Sequence, residues 1–192
     1  MTLRLNGSTS GYIEIDAPAV AGTRTLVLPT DSIQPGTVLV NKTDFTSVSS
    51  ISINNCFTST YDNYLIYIKS TLASGNTNLS LRLRLAGTDA TTNCSWQRLY
   101  ASGTTVAGSA ASSQSELNFG WTSTTVSSAV ATLFNPAVAA ASTLQSGTWD
   151  VTNGIGNYSG IHTTATAYDG MTLLVPSSTI TGTIRIYGLR NS

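Results

Sequence analysis

Leu79-Ser80-Leu81-Arg82-Leu83-Arg84-Leu85 is the stretch that decides the fold class. Its leucines alternate without a break with Ser80, Arg82 and Arg84, which is the period of a pleated strand whose successive side chains point to opposite sides. A helix would scatter the same leucines around its circumference. Alternation of this kind needs one face buried and one in water, the habit of antiparallel sheets. Thr183-Ile184-Arg185-Ile186-Tyr187 repeats the pattern near the far end of the chain.

Between these two lie further short extended candidates. The spacing predicts strands at Val48–Ile53, Tyr64–Lys69, Leu79–Ala86, Ser95–Tyr100, Gln114–Phe119, Ala129–Phe134, Ile161–Ala167 and Thr183–Tyr187. Eight strands separated by turns imply an all-β protein, an antiparallel β-sandwich of jelly-roll type. Asp169-Gly170 reads as a tight hairpin turn. The small, polar segment from Gly103 to Ser115 reads as a long connection, and Gly154-Ile155-Gly156-Asn157-Tyr158-Ser159-Gly160 as a loop. Asn135-Pro136-Ala137-Val138-Ala139-Ala140-Ala141 fits either one or two helical turns or a loop.

Composition agrees. The 192 residues include 31 Thr and 26 Ser, while charged residues make up 9 %, against about 25 % in an ordinary soluble domain. Threonine is β-branched and suits a pleated surface, whereas helix surfaces draw on Glu, Lys, Gln and Arg. Nine basic and nine acidic residues cancel, so the chain lacks the positive field that a phosphate backbone requires, and nucleic acid is not an expected partner. A weakly charged, near-neutral surface favours association. No stretch reaches the roughly 20 apolar residues of a membrane span, so no membrane contact is expected. Met1-Thr2-Leu3-Arg4-Leu5-Asn6-Gly7 lacks a basic region followed by an apolar run, so no secretory signal is expected. Cys56 and Cys94 are then expected to stay reduced and buried.

Residues 1–45 differ from the rest. Tyr12-Ile13-Glu14-Ile15 and Thr25-Leu26-Val27-Leu28 are short extended pieces set between turn-prone pairs, and Pro18, Pro29 and Pro35 fix φ and remove donors. A two-stranded ribbon of this length is marginal alone in water. The expectation is an extended N-terminal β-arm over residues 1–45 and a sandwich body over residues 46–192. Tyr12, Ile13, Ile15, Leu26 and Leu28 are the arm's expected partner-binding residues.

The sequence offers little for catalysis, and no enzyme activity, cofactor or metal is expected. His162 is the single histidine and sits in an alternating stretch, where neighbouring hydroxyls would satisfy it. One histidine and two distant cysteines do not assemble a zinc site within one chain, although three copies of His162 could meet on the axis of a trimer. The carboxylates are scattered, and most neighbour Gly, Asn, Ser or Thr, where they cap turns. Trp96, Trp121, Trp149 and several tyrosines fit either a sugar-binding platform or core and interface packing, and Trp96, in a predicted strand, reads as core. Trp149 and Tyr158 lie in loop-like sequence and are the candidates for contact with a partner or a glycan.

Two stretches carry a resemblance. Gly7-Ser8-Thr9-Ser10-Gly11-Tyr12-Ile13-Glu14-Ile15, running on through Ala17–Thr23 to Leu26-Val27-Leu28-Pro29, resembles an N-terminal segment of tailed-phage virion proteins, those of marine and cyanobacterial phages included. Phe57–Tyr64, Leu81–Arg84, Gly87-Thr88-Asp89 and Ile180–Gly188 are similar to the β-sandwich modules of phage tail fibres and head decoration proteins. The resemblance implies a virion protein, assembled in the host cytoplasm, that forms a homotrimer with a docking arm. Its partners would be its own copies and the major capsid protein or another virion protein. With no repetitive shaft, an arm plus one body suits a capsid cement protein; the alternative is a short tail fibre or tail tip that binds host polysaccharide.

Overall fold

The computed structural model describes residues 3–6, 12–15, 36–150 and 154–190. The chain divides into two compact units, Met1–Gln34 and Pro35–Ser192. In the first, β1 (Leu3–Asn6) and β2 (Tyr12–Ile15) pair antiparallel, with Leu3 opposite Ile15 and Asn6 opposite Tyr12. Residues 37–45, expected in the arm, belong instead to the second unit.

That unit carries β3 (Thr37–Val48), β4 (Ser50–Ile53), β5 (Asn63–Ala73), β6 (Thr77–Leu85), β7 (Thr88–Asp89), β8 (Cys94–Ser102), β9 (Thr105–Gln114), β10 (Leu117–Thr122), β11 (Ser127–Phe134), β12 (Ser142–Asp150), β13 (Gly154–His162), β14 (Gly170–Leu174) and β15 (Ile180–Leu189). Every pairing is antiparallel, and the described residues contain no α-helix. The strands make a sandwich of two unequal sheets. Eight run in the order β3-β15-β5-β11-β12-β13-β8-β9; the smaller sheet runs β10-β6-β14-β4, with β7 paired to β6.

The core forms because the inward rows of both sheets are apolar. Leu79, Leu81, Leu83, Leu117, Phe119, Met171 and Leu173 come from the smaller sheet; Tyr64, Ile66, Ile68, Leu133, Leu144, Ile184 and Ile186 come from the larger. All join one buried cluster. Each such side chain stabilises the fold by roughly 1.5–3 kcal/mol relative to exposure.

Several expectations need correction. Segment 103–115 is largely β9, an edge strand on β8, and segment 154–160 is the first part of β13. Asp169-Gly170 is not a hairpin turn: Gly170 begins β14, and the Asp169 carbonyl accepts the Phe57 amide at 3.0 Å. Residues Asn135–Ala141 form turns and bends, so the loop reading holds and the helical one does not.

The polar row of β6 is also not simply wet. Ser80 is 1 % exposed and Arg84 9 %, while Leu85, at the end of the apolar row, is 44 % exposed. A left-handed pair, Ala86 (φ 50°) and Gly87 (φ 80°), turns the chain so that Asp89 on β7 returns beside Arg84. Arg84 donates to Asp89, to the Gly87 carbonyl, to Asn54 Oδ1 at 3.0 Å, to Ser52 Oγ at 3.0 Å and to Thr172 Oγ1 at 2.7 Å. Arg82 donates to Glu116 Oε2 at 3.1 Å. Around Arg84 and Arg82 the second face of the small sheet is thus a hydrogen-bonded polar network, which is what lets charged groups sit there.

Candidate functional site

β8, β10, β12 and β13 meet at one end of the sandwich around a cavity of about 210 Å³. Alternation along β8 aims Trp96, Arg98 and Tyr100 to the same inward side. The Arg98 guanidinium carbon lies 5.7 Å from the Trp96 ring centre, 5.1 Å from that of Tyr100 and 6.0 Å from that of Trp121. Its Nη1 donates to Asn78 Oδ1 at 3.1 Å. Three aromatic faces around a guanidinium stabilise it by cation–π attraction. Among the described side chains no carboxylate comes within ion-pair distance of it.

Tyr158 is brought to this cavity, but not as a loop residue. It stands on β13, 5 % exposed, in register with Arg98. Burial raises its hydroxyl pKa above the ordinary value, and the neighbouring Arg98 charge and hydrogen bond act the other way. Gly156 makes room for its ring: a Cβ there would fall 2.9 Å from Tyr158 Cε2. Trp149 is likewise a strand residue, on β12 between Ser128 and Ile155 in the ladder. Its chain neighbour Thr148 lines the cavity.

Three polar atoms at the cavity, Arg98 Nε, Trp121 Nε1 and Thr148 Oγ1, are buried and make no hydrogen bond to the described residues. Trp121 is one of the aromatics that the sequence offers for a sugar-binding platform, whereas Arg98 is not singled out by it. The one available signal was the alternation Trp96-Arg98-Tyr100, an arginine in an aromatic row of a chain with nine basic residues.

Elsewhere the chemistry is structural. His162 is 1 % exposed, with Nε2 at 2.6 Å from the Tyr168 hydroxyl and Nδ1 at 3.5 Å from Cys94 Sγ. A side chain enclosed within one sandwich cannot meet its copies on a trimer axis, so that possibility is withdrawn. Cys56 and Cys94 are buried free thiols. Asp89 and Glu116 do approach one another, but through Arg82, which stands 4.0 Å from the first and 3.1 Å from the second. Among the described residues no three His, Cys, Asp or Glu side chains cluster as a metal site.

The outward face of the larger sheet is the second feature. Across β11, β12, β13, β8 and β9 its rows include Val130-Gly147-Asn157-Leu99-Gly108 and Thr132-Gln145-Ser159-Gln97-Ala110. Arg98, the one charged residue of these five strands whose side chain is described, occupies the alternate row. Leu99, Ile155 and Val106 are 58 %, 59 % and 68 % exposed. β9 has neither a proline nor a charge and ends the strand order with one edge unpaired in the sheet. Of the expected arm residues, Tyr12, Ile13 and Ile15 lie on β2, and Leu26 and Leu28 fall outside the described residues. Against protein-family models, curated proteins and solved structures, the chain matches none.

Proposed function

We propose that the chain is a structural subunit of a tailed-phage virion, a capsid cement protein that associates as a trimer through its sandwich and docks on the head through its N-terminal residues. The observation that carries this reading is the outward face of five strands, on which no described side chain is charged. Five strands about 4.8 Å apart, each rising about 3.3 Å per residue over some eight residues, offer roughly 600 Å². A standard interface uses about 800 Å² per partner, a size that this face and the free β9 edge together approach. Hydroxyls, amides and aliphatic groups lose less on desolvation than charges do. The β9 edge adds main-chain donors and acceptors for strand addition.

The resemblance of residues 7–29 and of the body to virion proteins supports the same reading, as does the division of the chain after Gln34. Docking by three arms on one trimer makes the second and third contacts intramolecular, so weak individual contacts suffice. Deleting residues 2–34 leaves the whole buried cluster in place. The truncated protein is expected to remain a folded trimer and to lose binding to capsids, measured by co-sedimentation with heads. Undiminished binding would refute the docking role. Imaging of intact particles at side-chain resolution tests the location itself. One observation favours the alternative of a short tail fibre or tip that binds host polysaccharide: the aromatic cavity that contains Tyr158.

A further inference from the structure

The geometry points to the cavity between β8, β10 and β13 as a binding site for one carboxylate-bearing sugar residue. Three features select that ligand. The cavity's unsatisfied groups include two donors, the Arg98 Nε–H and the Trp121 Nε1–H, together with the Thr148 hydroxyl. Thr148 is 2 % exposed, so water reaches it only through the cavity. Buried donors without acceptors are costly and are normally met by water or a ligand, and a ligand rich in acceptor oxygens answers that need. Arg98 adds a guanidinium with no carboxylate partner among the described side chains, suited to a planar carboxylate. The walls supply the rest: Trp121, Tyr100 and Tyr158 present ring surface for the carbon face of a pyranose.

Size agrees. About 210 Å³ equals the liquid volume of roughly seven waters and lies below the range of about 300–1,000 Å³ for drug-sized ligands. One ring with its substituents is the natural occupant. The inference does not rest on the cement reading, since such a site works on a head or on a tail.

The test titrates the full chain with galacturonic acid and its oligomers, with glucose and its oligomers, and with acetate. Tryptophan fluorescence, to which Trp121 at the cavity contributes, and calorimetry are the readouts. Acidic sugars are expected to shift the emission and bind at least about tenfold more tightly than neutral ones (about 1.4 kcal/mol). Acetate is expected to bind more weakly still. Arg98→Gln should remove the preference for acidic over neutral sugar. Tyr158→Phe, which keeps the ring but removes the hydroxyl that hydrogen-bonds Arg98, should weaken acidic-sugar binding severalfold while the protein stays folded, so a misfolded Arg98 variant leaves the proposal testable. Equal affinity for glucose overturns the carboxylate. Binding of acetate as tight as that of galacturonate overturns the sugar. No binding by any acidic sugar at millimolar concentration overturns the site.

Discussion

His162 shows what burial does to a titratable side chain in this core. Its ring is enclosed between Tyr168 and Cys94, and burial lowers its pKa below 6.5. The unfolded chain takes up the proton near pH 6.5, whereas the folded chain resists until a lower pH. Between those two values the unfolded state binds more protons, so stability rises with pH and falls on acidification. The urea midpoint of the native protein is expected to drop between about pH 7 and about pH 5, and His162→Gln should flatten that slope. A wild-type midpoint constant across this window excludes the assignment. The thiols follow the same physics. Burial pushes Cys56 up to about 12 and Cys94 up to about 11. Because only the thiolate reacts, alkylation at pH 8 is expected to be slower in the native protein than in urea by roughly 100-fold at Cys94 and roughly 1,000-fold at Cys56. Arg84 is the polar counterpart. Arg84→Met leaves Asp89 and Thr172 without their main donor on a largely covered face, and chemical denaturation should register a loss of about 2–3 kcal/mol. A loss below about 0.5 kcal/mol would mean the network is ornamental to folding.

At the scale of elements, the β6–β7 hairpin and the β15 ladder make opposite demands on small residues. Ala86 holds φ 50° ahead of Gly87 at φ 80°, a two-residue turn that favours Asn-Gly. Ala86→Asn is expected to stabilise the protein by about 1 kcal/mol, read as a rise in melting temperature. At Gly182 on β15, a Cβ would stand 2.1 Å from the Lys69 carbonyl oxygen. Since backbone must move to admit it, Gly182→Ala should cost about 3 kcal/mol. The same residue types explain which strands were legible in the sequence. β6 and β15 alternate apolar with polar residues and announce themselves, and β5 does so by the continuous run Tyr64-Leu65-Ile66-Tyr67-Ile68. β13 does not, because its inward row reads Gly154, Gly156, Tyr158, Gly160, His162, with one tyrosine ring filling what the glycines leave. β9 hides for a related reason: between Val106 and Gln114 both its rows are Ala, Ser and Gly. The cavity was only partly legible. Tyr158 was named on aromatic chemistry alone, while Arg98 and Trp121 gain meaning only when β8 and β10, from different sheets, are brought face to face.

At the scale of the whole molecule, solubility and association pull on the same surface. A chain with so few charges keeps them where its packing needs them: Arg82, Arg84, Asp89 and Glu116 form one network, and Lys42 and Asp44 pair on the opposite edge strand. Five adjoining strands are left with an outward face that carries Leu99 and Ile155 and on which no described side chain is charged. If that face joins the proposed trimer, placing charge on it must act on assembly and spare the fold. Leu99→Lys combined with Ile155→Lys changes two side chains that are more than half exposed, so the folding free energy should move by no more than about 0.5 kcal/mol. Light scattering should show the mass fall from trimer to monomer, since burying two unpaired ammonium groups per copy costs several kcal/mol each. Val138→Lys, in a loop and 39 % exposed, is the matched control and should leave the mass unchanged. A double variant that stays trimeric moves the interface off this face, and a native protein that is already monomeric removes the trimer altogether.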